Sequence, residues 1–176
     1  MEKYELDGET YYYINGKFCD SHYCIVDNQT SNKLINIKFN QIDYKSLDSD
    51  ELLKQITSLK DMGLFLKAKN LIEYGLEKFE SNLPFIRYIL PVYTSCCRNL
   101  NMHKKGIEVA NLFLNSKTES GALFTSLSAT YCDLFDYNNA KRYANRAYAI
   151  LKNTQSKDNA ELMSVYQRIK KETGEK

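Results

Sequence analysis

A mainly α protein carrying a small N-terminal antiparallel β-meander is the fold class that three features of the sequence predict. Gly contributes 7 and Pro 2 of 176 residues, too little turn material for a domain built of many short strands. From residue 48 onward, apolar residues recur with the period of amphipathic helices. Ahead of that point, Thr10-Tyr11-Tyr12-Tyr13-Ile14 is β-branched and aromatic and runs into Asn15-Gly16. The expected organisation is therefore a β-meander over 1–45 and a helical domain over 46–176. With 43% apolar and 26% charged residues the composition is that of an ordinary globular chain, which excludes wholesale disorder.

The meander comes first. Asn-Gly between two strand-like runs is a strong hairpin signal, because both residues tolerate the positive φ of a type I′ turn. Residues 17–26 then read as the return strand. After the polar stretch Asp27-Asn28-Gln29-Thr30-Ser31-Asn32, residues 33–39 (KLINIKF) alternate, with Ile35, Ile37 and Phe39 on one face, and read as a third strand. Three strands of this size cannot hold a core alone, so the meander is expected to dock on other structure. Tyr11 and Tyr13 share a face opposite Tyr12, and an open edge of the sheet is a place where a partner strand adds.

The helical region opens on Asp48-Ser49-Asp50-Glu51, a capping box in which Asp48 accepts from an early backbone N–H and Glu51 reaches back. Leu52, Ile56, Leu59 and Gly63 follow on one face. A second stripe, Ala68, Ile72, Gly75 and Phe79, marks a helix over 66–79. Because Pro91 suits only a first turn, the next helix is expected to start near Tyr88 and run over 89–100. Further helices are expected over 103–115, 120–134, 137–152 and 158–172. They are joined by short polar links at Asn99-Leu100-Asn101, at Phe135-Asp136 and over 153–157, which make neighbours antiparallel.

These helices repeat. Phe124-x2-Leu127-Ser128-x2-Tyr131-x8-Ala140-x3-Ala144-x2-Ala147 is matched by Leu90-x2-Tyr93-Thr94-x2-Cys97-x8-Gly106-x3-Ala110-x2-Phe113. It is matched again by Leu52-x2-Gln55-Ile56-x2-Leu59-x8-Ala68-x3-Ile72-x2-Gly75. Small residues at these places let helices approach closely, and the large ones fill the gaps between them. Over 50–152 the pattern resembles the tetratricopeptide repeat, with Ile56 and Ser128 where that family usually has Gly. Leu162, Val165, Tyr166 and Ile169 then form the stripe of a capping helix. The resemblance implies an α-α superhelix of three helical hairpins and a cap.

It also implies a concave groove lined by the first helix of each hairpin. Carried over position by position, the groove set is Leu53, Thr57, Lys60, Tyr88, Ser95, Arg98, Thr125, Ala129 and Cys132. The Lys and Asn that one subfamily uses to clamp a C-terminal carboxylate are replaced by Leu53, Thr57, Pro91 and Ser95. Lys60 and Arg98 are the groove cations left to meet an acidic ligand.

Charge and motif content narrow the function further. A net charge of +2 makes nucleic acid an unlikely obligatory partner. The outer face of 141–171 is nevertheless basic, with Lys141, Arg142, Arg146, Lys152, Lys157, Arg168, Lys170 and Lys171. It supplies an alternative reading, a regulator that contacts nucleic acid or an acidic protein there. The acidic N-terminus lacks the apolar core of a signal peptide, and no run reaches the length of a membrane span. Five cysteines without a secretory signal point to reduced thiols in the cytoplasm. Cys19-x2-His22-x-Cys24 puts Cys19 and His22 on opposite faces of a strand and has no second pair at zinc spacing, so no metal is assigned. No phosphate loop, HExxH or nucleophile elbow appears, so no catalytic residue or cofactor is assigned either. The expectation is a non-enzymatic interaction module, adaptor or regulator, that binds a peptide or partner helix in its groove.

Overall fold

Two dipeptides able to adopt positive φ start the chain as a meander. Asp7-Gly8 (φ 55° and 84°) joins β1 (Glu2–Leu6) to β2 (Glu9–Ile14), and Asn15-Gly16 (φ 49° and 84°) joins β2 to β3 (Lys17–Cys19). The sheet order is β1-β2-β3, antiparallel, with Tyr4 opposite Tyr11 and Tyr13 opposite Phe18. The computed structural model describes residues 1–153 and 157–174 and divides into two compact units, Met1–Leu47 and Asp48–Lys176. The expected link over 153–157 falls largely outside the described residues, as does the side chain of Lys157.

Three expectations for the first unit need correction. The meander begins at Glu2, because Asp7-Gly8 is as strong a hairpin signal as Asn15-Gly16 and makes 2–6 a strand. The return strand stops at Cys19 and is followed only by an isolated bridge from Cys19 to Ile25. Residues 33–39 are not a strand but lie in helix α1 (Asn28–Asn40). Its N-cap explains why: Asp27 accepts from the backbone N–H groups of Gln29 and Thr30, and the Thr30 hydroxyl donates to the same carboxylate at 2.6 Å. Once the helix is nucleated there, Leu34, Ile35 and Phe39 fall on one buried face, and α1 packs on β1 and β3, where Tyr4 and Phe18 are buried. Lys38, one turn after Leu34, pairs with Glu2 at 2.7 Å and lies 3.6 Å over the Tyr13 ring.

The second unit is a succession of helical hairpins. α2 (Ser49–Asp61) and α3 (Phe65–Lys78) form the first, and α4 (Leu83–Asn99) and α5 (His103–Phe113) the second. α6 (Gly121–Asp133) and α7 (Tyr137–Leu151) form the third, and α8 (Lys157–Thr173) packs on both of them. Each first helix packs on its own second helix and on the next first helix, which is the nearest-neighbour scheme of a repeat architecture. Both halves of the capping box at Asp48 and Glu51 are made.

The repeat is written into the backbone as well. Gly63, Asn101 and Phe135 all have positive φ (73°, 56° and 60°), each five residues before Ala68, Gly106 or Ala140. At each turn the following amide bonds back six-to-one, from Leu64 to the Leu59 carbonyl, Met102 to Cys97 and Asp136 to Tyr131. This is the Schellman end of a helix. Leu52, Leu90 and Phe124, at equivalent places, are fully buried, as are Ala68 and Ala140. Ser128, in place of Gly, donates to the Ala140 carbonyl at 2.6 Å and so ties the third hairpin together.

The start of α4 differs from expectation. It begins at Leu83, capped by the Asn82 side chain accepting from the Phe85 amide, with Pro84 in its first turn. Pro91 therefore sits inside the helix rather than at its entry. Packing overrides the local cost: Phe85, Ile86, Ile89 and Leu90 are all buried, and a helix starting at Tyr88 would leave two of them unplaced.

Candidate functional site

The first helices and α8 enclose a concave groove of about 940 Å³ in the second unit. Its lining comes from one end of α2, the length of α4 and α6, and one face of α8. Lys60, Tyr88, Ser95, Arg98, Thr125 and Ala129 line it. Leu53 and Thr57 stand on α2 away from the groove, with the Thr57 hydroxyl turned back to the Leu53 carbonyl at 2.9 Å. Cys132 is 0% exposed and packs inside, because the last turn of α6 is covered by neighbouring helices.

Several lining residues lie outside the expected groove set. Arg87 is on the groove face of α4, one residue before the expected start at Tyr88, and Pro91, expected only as a clamp position, lines the groove as well. α8, read only as a cap, supplies Glu161, Ser164, Val165 and Arg168. It occupies the place a fourth first helix would take, against α6 and α7. The available signal was its stripe of Leu162, Val165 and Ile169, all now buried.

Pro91 shapes the floor. Having no N–H, it leaves the Arg87 carbonyl without the donor that an unbroken helix would supply. The Thr94 hydroxyl donates to the Pro91 carbonyl at 2.9 Å, and the Ser126 hydroxyl, within reach of both that carbonyl (3.3 Å) and Thr94 Oγ1, joins α6 to α4. Thr125, next to Ser126, is 4% exposed, and its Oγ1 has no hydrogen-bond partner among the described residues.

At one end of the groove Asp133 gathers charge. Its Oδ2 lies 2.7 Å from Arg98 Nε, its Oδ1 accepts from Arg168 Nη1, and His103 Nε2 stands 3.7 Å away. Arg168 also donates to the Cys132 carbonyl at 3.1 Å. Burial by itself pushes the Asp133 carboxyl up, but the hydrogen bonds from Arg98 and Arg168 outweigh it and hold it below the ordinary carboxylate range. Arg98 is therefore already committed, whereas Lys60 and Arg87 form no ion pair among the described residues.

The other sequence candidates separate into structural roles. Arg146 pairs with Glu119 at 3.0 Å and lies 4.0 Å over the Phe124 ring, and Arg168 lines the groove and pairs with Asp133, so two members of the basic set are engaged within the unit. Cys19 is buried, while His22 and Cys24 are exposed in a turn whose backbone amides bond to Asp20. Burial pushes the Cys96 thiol up to about 11 and raises those of Cys97 and Cys132, the opposite of an activated nucleophile. Among the described residues no cluster suited to a metal ion occurs, and no helix is long and apolar enough to cross a membrane.

The fold and groove define a mainly α protein of successive helical hairpins with a β-meander at its N-terminus. Comparison with family models, curated proteins and solved structures finds no match, so these features alone carry the functional argument.

Proposed function

We propose that the chain is a non-enzymatic protein-interaction module of tetratricopeptide-like repeats that holds a segment of a partner protein in the groove along α4, α6 and α8. The observation that carries this reading is the lining. Residues of three successive first helices and α8 open onto one concavity large enough for several side chains of a peptide. Tyr88 stands exposed at its edge, amphipathic and with little side-chain entropy to lose, the kind of residue that anchors a partner. The groove is built on helices, so a ligand meets a preformed surface and bears most of the ordering cost itself. Five free thiols, four of them buried, suit a cytoplasmic setting.

Selection of random short peptides on the full chain tests the reading. Selected binders are expected to lose affinity when Tyr88→Ala removes the anchor or Ser95→Arg obstructs the groove, with the melting temperature unchanged. Binders indifferent to both substitutions would place the interaction elsewhere and overturn the proposal.

A further inference from the structure

The groove carries an excess of positive charge. Lys60, Arg87, Arg98 and Arg168 face a single lining carboxylate, Glu161, and the remaining acid nearby, Asp133, already holds Arg98 and Arg168. Lys60 and Arg87 are the uncommitted pair, one on α2 and one on the exposed face of α4. The floor also holds the Thr125 side chain, 4% exposed, whose hydroxyl is without a partner among the described residues. A helical Thr occupies either of two χ1 rotamers, so this hydroxyl swings toward a ligand at little cost. A buried polar atom left unsatisfied is unfavourable until something bonds to it, which makes a ligand acceptor at that point rewarding.

We infer that the groove takes an acidic protein segment: its side-chain carboxylates meet Lys60 and Arg87, while one of its main-chain carbonyls accepts from Thr125 Oγ1. The inference rests on the groove reading above and specifies its ligand. Nucleic acid fits less well. A strand asks for cations at each phosphate and aromatic faces for its bases. Here two cations are uncommitted, and Tyr88 is the one aromatic lining the groove among the described residues. One unpartnered hydroxyl beside two cations suits a peptide carbonyl flanked by acidic side chains.

The experiment extends the peptide selection on the full chain, with the best binders and a labelled oligouridine measured by fluorescence anisotropy. Selected peptides are expected to carry two or more Asp or Glu. Lys60→Glu and Arg87→Glu should each weaken them about tenfold, and raised salt should weaken them further. Thr125→Val, isosteric and free of the unsatisfied hydroxyl, should weaken them several-fold while leaving the melting temperature equal or higher. Neutral or basic binders that respond to Tyr88→Ala and Ser95→Arg but not to the charge reversals or Thr125→Val would overturn the acidic ligand and keep the groove. Binders indifferent to all five variants, or no binder at all, would overturn both. Oligouridine binding more tightly than any selected peptide, and lost on the same charge reversals, would assign the groove to nucleic acid and likewise overturn the inference.

Discussion

Arg98 on α4 donates through Nε to Asp133 at the end of α6, 2.7 Å away, while the second oxygen of the same carboxylate holds Arg168 of α8. One acid thus fastens two first helices and the cap at the end of the groove. Because both arginines are partly buried, loss of the carboxylate leaves two cations facing each other. Asp133→Asn is expected to cost about 1–2 kcal/mol and, more tellingly, to raise amide hydrogen exchange in α8 before the rest of the unit. Uniform exchange across α6, α7 and α8 would count against a clamp role.

A second acidic centre predicts a pH response. Glu73 on α3 accepts from Tyr93 on α4 at 2.8 Å and pairs with Lys69 (2.7 Å) and Lys105 on α5 (2.8 Å). Burial pushes its carboxyl up, but hydrogen bonds from Lys105, Lys69 and Tyr93 prevail and bring it from 4.5 down to about 2. A depressed carboxylate contributes stability that is fully present above its unfolded value and is lost as the pH falls toward the folded one. The melting temperature should hold from neutral pH to about 5 and then decline between about 4.5 and about 2. Glu73→Gln should flatten much of that decline and cost about 1–2 kcal/mol at neutral pH, the full linkage value being reduced by solvent screening at a site one-third exposed.

Phe135 occupies the turn position where the sister hairpins have Gly63 and Asn101, with φ 60° and 75% exposure. A bulky side chain in the left-handed region costs on the order of 1 kcal/mol, and an exposed ring recovers little of it by burial. Phe135→Gly is therefore expected to raise stability by up to about 1 kcal/mol in denaturant titrations, after allowance for the greater freedom of Gly in the unfolded chain. A lower midpoint would show that the ring contributes contacts of its own.

Gly75 on α3 lies tight against Leu52 of its own hairpin and Phe85 of the next. A Cβ built there would lie 2.8 Å from both Leu52 Cδ2 and Phe85 Cζ, whose side chains are themselves buried. Gly75→Ala should destabilise by about 1–3 kcal/mol despite its better helix propensity, a sign reversal that thermal unfolding reads directly. Gly106, 3.0 Å from Cys97 Cβ by the same construction, should show a milder version of the effect.

Much of this architecture is legible in residue order because its determinants are local. Asn15-Gly16 sets a two-residue hairpin through φ alone, and Asp48 with Glu51 caps α2 through bonds spanning three residues. The small-residue spacing of Ala68, Gly106 and Ala140 locates the hairpins, since every copy must solve the same packing problem. Misreadings arise where two local signals compete. The alternation of 33–39 fits a strand, yet the Asp27 cap and the Leu34, Ile35 and Phe39 face make a helix. Pro91 reads as a helix start until the burial of Phe85, Ile86 and Ile89 draws the helix through it.

The groove divides along the same line. Helical period and repeat spacing place side chains on the first-helix face: Lys60, Tyr88, Ser95, Arg98, Thr125 and Ala129 line the concavity, whereas Leu53, Thr57 and Cys132, placed by the same spacing, do not. That Arg98 is bound to Asp133, that Cys132 is sealed in, that Arg87 is uncommitted and that α8 forms a wall depend on residues 35 or more positions apart in several of these contacts. Periodicity places a side chain on a face of its own helix. Whether that side chain finds a partner or faces an opening is settled by the helices packed beside it, and sequence spacing carries no record of those distances.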